Sequence, residues 1–293
     1  MVAISGERRS RWTIGLILIL LGLVVAYPLY YTFMVSVSQY KDILNGGLLI
    51  LPQEWSFSAY SLIFKLIDIG PAFLVSLLVT VVGTGVNMMV SVSGAYALSK
   101  KELPGHRIFL LILIVAMLFE GGLVPYYLTV KKLGLVNSFW VMVFPVALNF
   151  FYMFILINHF RQLPASLEES AYLDGANEIT VLIRILLPIS VPVLSAIGLF
   201  YAVDRWNEWW HAMIFLIDEE LFPLQLILRR LLSTMDQMVS ESASAGLADQ
   251  FGALFTPGIK MAAVVITTIP IMLVYPFLQR YFAKGIMVGS LKG

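Results

Sequence analysis

The sequence predicts an all-α integral membrane protein with six transmembrane helices and both termini in the cytoplasm, and three observations carry that reading. Hydrophobic residues make up 59% of the 293 and charged residues only 13%, about half the charge of an ordinary soluble domain. Mean hydropathy is +0.88. The apolar residues are gathered into charge-free stretches near the length, about 20 residues, that a helix needs to cross roughly 30 Å of hydrocarbon. A net charge of +1 without a basic block fits neither disorder nor a nucleic-acid partner. With 0 cysteines, disulfides and thiolate chemistry are excluded.

The spans follow in order. The first runs from Trp12 to Val37, with no charge between Arg11 and Lys41, and is too long for a removable signal peptide. The second, Pro71 to Leu98, contains Gly83, Gly85, Ser91, Gly94 and Ala95, small residues that let helices approach closely. The third, Ile108 to Val130, is interrupted by Glu120, which lies about 20 Å along a helix from Arg107 and so at hydrocarbon depth. Glu120 either lines a transport path or pairs with Lys131, Lys132 or a partner chain. Gly121 and Gly122 after it point to a broken helix, which a membrane tolerates only in a protein-lined or wet interior.

The fourth span covers Ser138 to Ile157, and the fifth starts near Pro188. Pro188 to Val203 measures only about 24 Å of helix, so the fifth span must continue through Asp204, Arg205, Trp206, Asn207 and Glu208. These residues either face a polar path or serve packing, with Trp206, Trp209 and Trp210 also suited to an interfacial belt or to stacking on sugar rings. Pro192 should bend this span. The sixth covers Met261 to Leu278.

Orientation follows from the basic residues. With both termini inside, the inner segments hold Arg8, Arg9, Arg11, Lys100, Lys101, Arg107, Arg161, Arg184, Arg280, Lys284 and Lys292, eleven of the 19, as the positive-inside rule requires. Of the outer segments, 38–70 is expected against the membrane surface. The long outer segment 211–257 passes through Ser240-Glu241-Ser242-Ala243-Ser244-Ala245-Gly246, a small polar run expected to form an exposed loop tip.

The inner loop 158–187 reads as two short helices joined at a glycine. Ser166-Leu167-Glu168-Glu169 fits a capping box with Ser166 as N-cap, and Gly175 fits the residue that ends the helix. Leu167, Ser170, Ala171 and Asp174 then share a face, either inserted into a groove or lying on the membrane.

Glu169-Ser170-Ala171-Tyr172-Leu173-Asp174-Gly175-Ala176, followed by Ile185-Leu186-Leu187-Pro188, resembles the EAA loop of bacterial ABC importer permeases, with Ser170 in place of the middle alanine. Phe119–Pro125, Arg205-Trp206-Asn207-Glu208-Trp209 and the segment Lys284–Gly293 are similar to carbohydrate-type permeases, the last to the tail of MalG-like subunits. The resemblance covers nearly the whole chain, and importers of complex sugars, alginate oligosaccharides among them, are the nearest in kind.

The resemblance implies a single transmembrane permease domain over 1–293 with the ABC importer permease fold, in the bacterial inner membrane. It further implies a second homologous permease, two ATPase subunits and an extracytoplasmic sugar-binding protein as partners. Glu169, Ser170, Ala171, Asp174, Gly175 and Ala176 would couple to the ATPase, helped by Gly289, Lys292 and Gly293 in the tail 280–293. Glu120, Asp204, Arg205, Trp206, Asn207 and Glu208 are candidates for the substrate path. Ser240, Glu241, Ser244 and Gly246 are candidates for contact with the binding protein. The chain has no GxxxxGK[ST] phosphate loop, and His106, His159 and His211 lack metal-ligand spacing. No cofactor, metal or catalytic residue is expected, so ATP hydrolysis falls to the partners. The competing reading is a stand-alone secondary transporter with Glu120 as its proton-coupling acid.

Overall fold

The computed structural model describes residues 3–39, 51–52, 54–119, 121–244 and 257–290, with the backbone alone for 3–11, 239–244 and 275–290. Among the described residues there is no named strand, only one isolated antiparallel bridge between Ser38 and Trp55. The chain begins with α1 (Ala3–Ser36), α2 (Ser58–Leu66), α3 (Ile69–Ser99), α4 (His106–Leu118) and α5 (Leu123–Lys132). Two 3₁₀ turns, Phe139–Met142 and Phe144–Val146, precede α6 (Phe150–Gln162), α7 (Ala165–Leu173) and α8 (Glu178–Val181). A π-helical stretch Leu182–Leu186 and one turn at Leu187–Ile189 lead into α9 (Val191–Trp206) and α10 (Trp210–Phe215). The last elements are α11 (Leu224–Ser244) and α12 (Pro257–Ser290).

Three stretches are long and apolar enough to cross a membrane as single helices, Trp12–Ser36, Ile69–Ser99 and Pro257–Val274. Three more are bent pairs: His106–Leu118 with Leu123–Lys132 at 119°, Phe139–Val146 with Phe150–Gln162 at 48°, and Glu178–Ile189 with Val191–Phe215 at 87°. The break expected in the third stretch is therefore found. The fifth bends at Ser190 rather than at Pro192. Pro192 sits in the first turn of α9, where its missing N–H is no loss, and the Ser190 carbonyl accepts from Leu194 N at 2.9 Å.

Two compact units emerge, one from 1–68 with 228–270 and the other from 69–227 with 271–293. In the first, Ser36 Oγ and Tyr60 OH are 2.8 Å apart, Ser56 N donates to the Val37 carbonyl at 2.8 Å, and Lys260 pairs with Asp236 at 2.5 Å. The side chains of α1 from Leu16 to Leu21 are all more than half exposed, a surface that only lipid or another apolar chain covers without cost.

The second unit is organised on α3. Ala72, Ser76, Val79, Gly83, Asn87, Ser91 and Ala95 recur every three or four residues and form its buried stripe, so α6 and α9 pack close against it. A Cβ on Gly83 would meet Arg205 Cδ at 2.8 Å, and one on Gly94 would meet Met153 Cε at 2.6 Å. Gly85 has no such neighbour. One core joins Ala95, Tyr96, Leu156, Phe160, Ala171, Leu186 and Tyr201. Another joins Val79, Val141, Met142, Phe215, Phe222 and Leu226.

One sequence expectation about local structure changes. Ser240–Ser244 belong to α11 rather than to a loop tip, because the amphipathic helix begun at Leu224 carries on through small residues that do not break it. The backbone of 285–290 continues α12. Glu120, Gly246, Lys292 and Gly293 lie outside the described residues.

Candidate functional site

The loop between α6 and α9 is built from strong local signals. Pro164, extended at ψ 125°, starts α7, and Leu167 N bonds back to its carbonyl at 3.2 Å. Ser166 therefore lies inside the first turn, and its carbonyl accepts from Ser170 Oγ at 2.7 Å. The expected capping box is absent because proline's fixed φ begins the helix two residues too early for Ser166 to cap it. At the other end Gly175 has φ +83°. Ala176 N donates to the Ala171 carbonyl at 2.9 Å and Gly175 N to the Tyr172 carbonyl at 3.0 Å. This is a Schellman ending. No atom crowds the Gly175 Cβ position, so its left-handed backbone alone asks for glycine. Asn177 then caps α8, its Oδ1 accepting from Thr180 N at 2.8 Å.

Exposure divides α7 into two sides. Ala171 is buried in the core, whereas Glu169, Ser170, Asp174 and Gly175 are exposed and Leu173 is 89% exposed. Leu173 escaped the sequence reading, since nothing in its spacing separates an outward leucine from a core one.

Side chains tie this loop to the end of α3 along an open groove of about 750 Å³. Tyr96 donates its hydroxyl to Glu178, and Lys100 donates to Glu168 while its ammonium lies 4.9 Å from the Tyr96 ring centre. Burial pushes the Lys100 ammonium below its ordinary value, partly opposed by Glu178 and Glu102. From α6, Arg161 Nη2 donates to the Leu98 carbonyl at 3.1 Å. Tyr96 and Lys100 are distant in sequence from Glu168 and Glu178, and only their contact reveals the clamp.

At the far end of α9 the predicted path residues separate into two groups. Arg205, Trp206 and Glu208 are buried, at 8%, 5% and 6% exposure. Arg205 Nη1 donates to the Met142 carbonyl at 3.0 Å and lies 3.4 Å from Glu208, whose other oxygen is 3.0 Å from His211 Nδ1. His211 Nε2 is in turn 2.9 Å from Tyr126 OH. Trp206 packs edge-on against Phe73, with ring centres 5.7 Å apart. Asp204 and Asn207 are exposed. Asp204 accepts from Tyr152 OH at 3.1 Å, and Asn207 Oδ1 from Gln225 Nε2 at 3.2 Å. His211, buried, and Tyr126, half-buried, complete a chain that spacing alone did not suggest.

No protein-family model matches the chain. Among curated proteins it is 38% identical, over 94% of its length and 96% of the relative's, to the polygalacturonan/rhamnogalacturonan transport system permease protein YtcP of Bacillus subtilis strain 168. The chain belongs to the permease subunits of bacterial ABC sugar importers. It is also 28% identical, over 94% of each chain, to the trehalose/maltose transport system permease protein MalG of Thermococcus litoralis. The crystal structure of a bacterial ABC transporter involved in the import of the acidic polysaccharide alginate matches with a TM-score of 0.78 and 29% identity, covering 94% of this chain and 98% of that one. The permease is thus a multi-pass inner-membrane transport subunit, as its relatives are transport permeases, and a self-contained proton-coupled carrier is not favoured. Its short helix α7 and the turn after it hold the Glu169–Ala176 run whose sequence resembles an EAA loop.

Proposed function

We propose that this permease forms half of a heteromeric pore, its two compact units acting as one domain, for oligosaccharides that contain uronate. The YtcP-like relative is named for polygalacturonan, and the matched importer for alginate; both substrates are acidic. The proposed chain of events is that a binding protein delivers the sugar on the outside, two ATPase subunits hydrolyse ATP inside, and the permease carries motion between them. Both termini lie inside in this scheme.

The observation that carries the coupling role is α7, a helix ended by a Schellman turn, foot buried at Ala171 and outer face open at Glu169, Ser170, Leu173 and Asp174. Gly175 and Ala176 set the turn that holds it. Gly289, Lys292 and Gly293 are proposed to add a second contact with the ATPase. Asp204 and Asn207 are proposed to meet sugar, with Glu120 further along the path, while Arg205, Trp206 and Glu208 hold the wall behind them. Ser240, Glu241, Ser244 and Gly246 are proposed to meet the binding protein. The test is ATP hydrolysis by the purified whole complex with its binding protein. Stimulation by oligogalacturonate or oligoalginate and not by maltose is expected, and stimulation by maltose alone rejects the acidic substrate.

A further inference from the structure

Near the end of α6 that leads into α7, a second pocket of about 670 Å³ is lined by Lys101, His106, Arg107 and Arg161, with Leu103 and Leu110. Lys101, Arg107 and Arg161 are cations at neutral pH, and no carboxylate is among the lining residues. Cations gathered in this way repel one another unless an anion joins them.

His106 sharpens the point. Arg161 Nη2 lies 3.0 Å from His106 Nε2. A guanidinium only donates, so Nε2 accepts and the neutral ring carries its proton on Nδ1. That Nδ1 is buried with no hydrogen-bond partner, a state that folded proteins seldom leave unmet. The helix α4 also starts here, behind Gly105 and with no side-chain cap, so its first N–H groups add partial positive charge.

We propose that this pocket binds the phosphate headgroup of an anionic phospholipid. Its chemistry suits phosphate, because guanidinium and ammonium groups form charge-assisted bonds to several oxygens at once. Its setting favours lipid over free phosphate. α4 has no buried residue, and Ile108, Phe109, Leu111 and Ile112 are more than half exposed. Ile108 both lines the pocket and starts that apolar wall. Acyl chains of a lipid held by its headgroup would run along the wall, which inorganic phosphate cannot use. Basic pockets beside transmembrane helices at the cytoplasmic boundary are suited to such headgroups.

The experiment uses the complete transporter complex, purified in mild detergent, with retained phosphatidylglycerol and phosphatidylcholine counted by native mass spectrometry. Wild type should retain phosphatidylglycerol preferentially. Lys101→Gln and Arg107→Gln, both at exposed side chains, should each reduce that retention about fivefold, and Arg107→Lys should restore it. Displacement of the lipid by millimolar inorganic phosphate would make this a free-anion site and overturn the lipid assignment. Equal retention in wild type and both Gln variants overturns it as well. So does loss of the ATPase subunits from Arg107→Gln complexes with lipid unchanged, which assigns the patch to protein docking.

Discussion

Ser91 Oγ and Tyr201 OH lie 2.6 Å apart in the buried seam between α3 and α9. The same phenol oxygen accepts from Asn149 N at 3.1 Å, so one oxygen joins α3, α9 and the residue that caps α6. Tyr201→Phe leaves two buried groups short of a partner and should destabilise the permease by about 1–3 kcal/mol. A lower melting temperature of the purified subunit, with the variant still inserted in the membrane, is the expected reading. An unchanged melting temperature rejects a structural role for this bond.

Gly175→Val should uncouple the transporter. A β-branched residue is disfavoured at φ +83°, costing roughly 1–2 kcal/mol, and the turn that ends α7 should rearrange. Sugar-stimulated ATP hydrolysis should fall sharply, whereas Gly175→Asn should retain most of it, because asparagine tolerates the left-handed region. Equal coupling in both variants would count against the Schellman ending as a functional requirement.

Leu173→Asp should weaken attachment of the ATPase. An 89% exposed leucine at the tip of α7 contributes about 1.5–3 kcal/mol if docking buries it fully. The measurement is the ATPase that co-purifies with the tagged permease. Folding should be unaffected, because the side chain touches no core.

Glu208→Gln and Asp204→Asn should differ in kind. Glu208 is buried between Arg205 and His211, and removing one partner of a buried ion pair costs about 3–5 kcal/mol. That variant should lose thermal stability and expression. Asp204 is exposed, so Asp204→Asn should leave stability within about 0.5 kcal/mol and raise the sugar concentration needed for half-maximal transport. A reversed pattern would place Glu208, not Asp204, on the path.

Tyr96→Phe tests the clamp between α3 and the coupling loop. Without the phenol, Glu178 loses the donor that links it to α3. Amide exchange over 165–181 should quicken and coupled hydrolysis should fall, with complex assembly retained. Unchanged exchange would show that Lys100 and Glu168 hold the loop without Tyr96.

Sequence by itself determined the membrane class, the positions of the apolar stretches, the break after α4 and the glycine that ends α7. Each of these depends on residues close together in the chain: a charge-free run long enough to span, a glycine pair, a positive φ that few side chains tolerate. Tertiary structure decided the rest. It placed the bend at Ser190 and turned Pro192 into a helix start, carried α11 through Ser244, and began α7 at Ala165 ahead of Ser166. It also divided Asp204–Glu208 into buried supports and exposed groups, and brought Tyr96, Lys100, Glu168 and Glu178 into one clamp. The physical reason is that burial and ion pairing depend on which helices meet. A stripe of small residues on α3 announces that something packs there, but Arg205 and Met153 become its neighbours only once the helices are assembled.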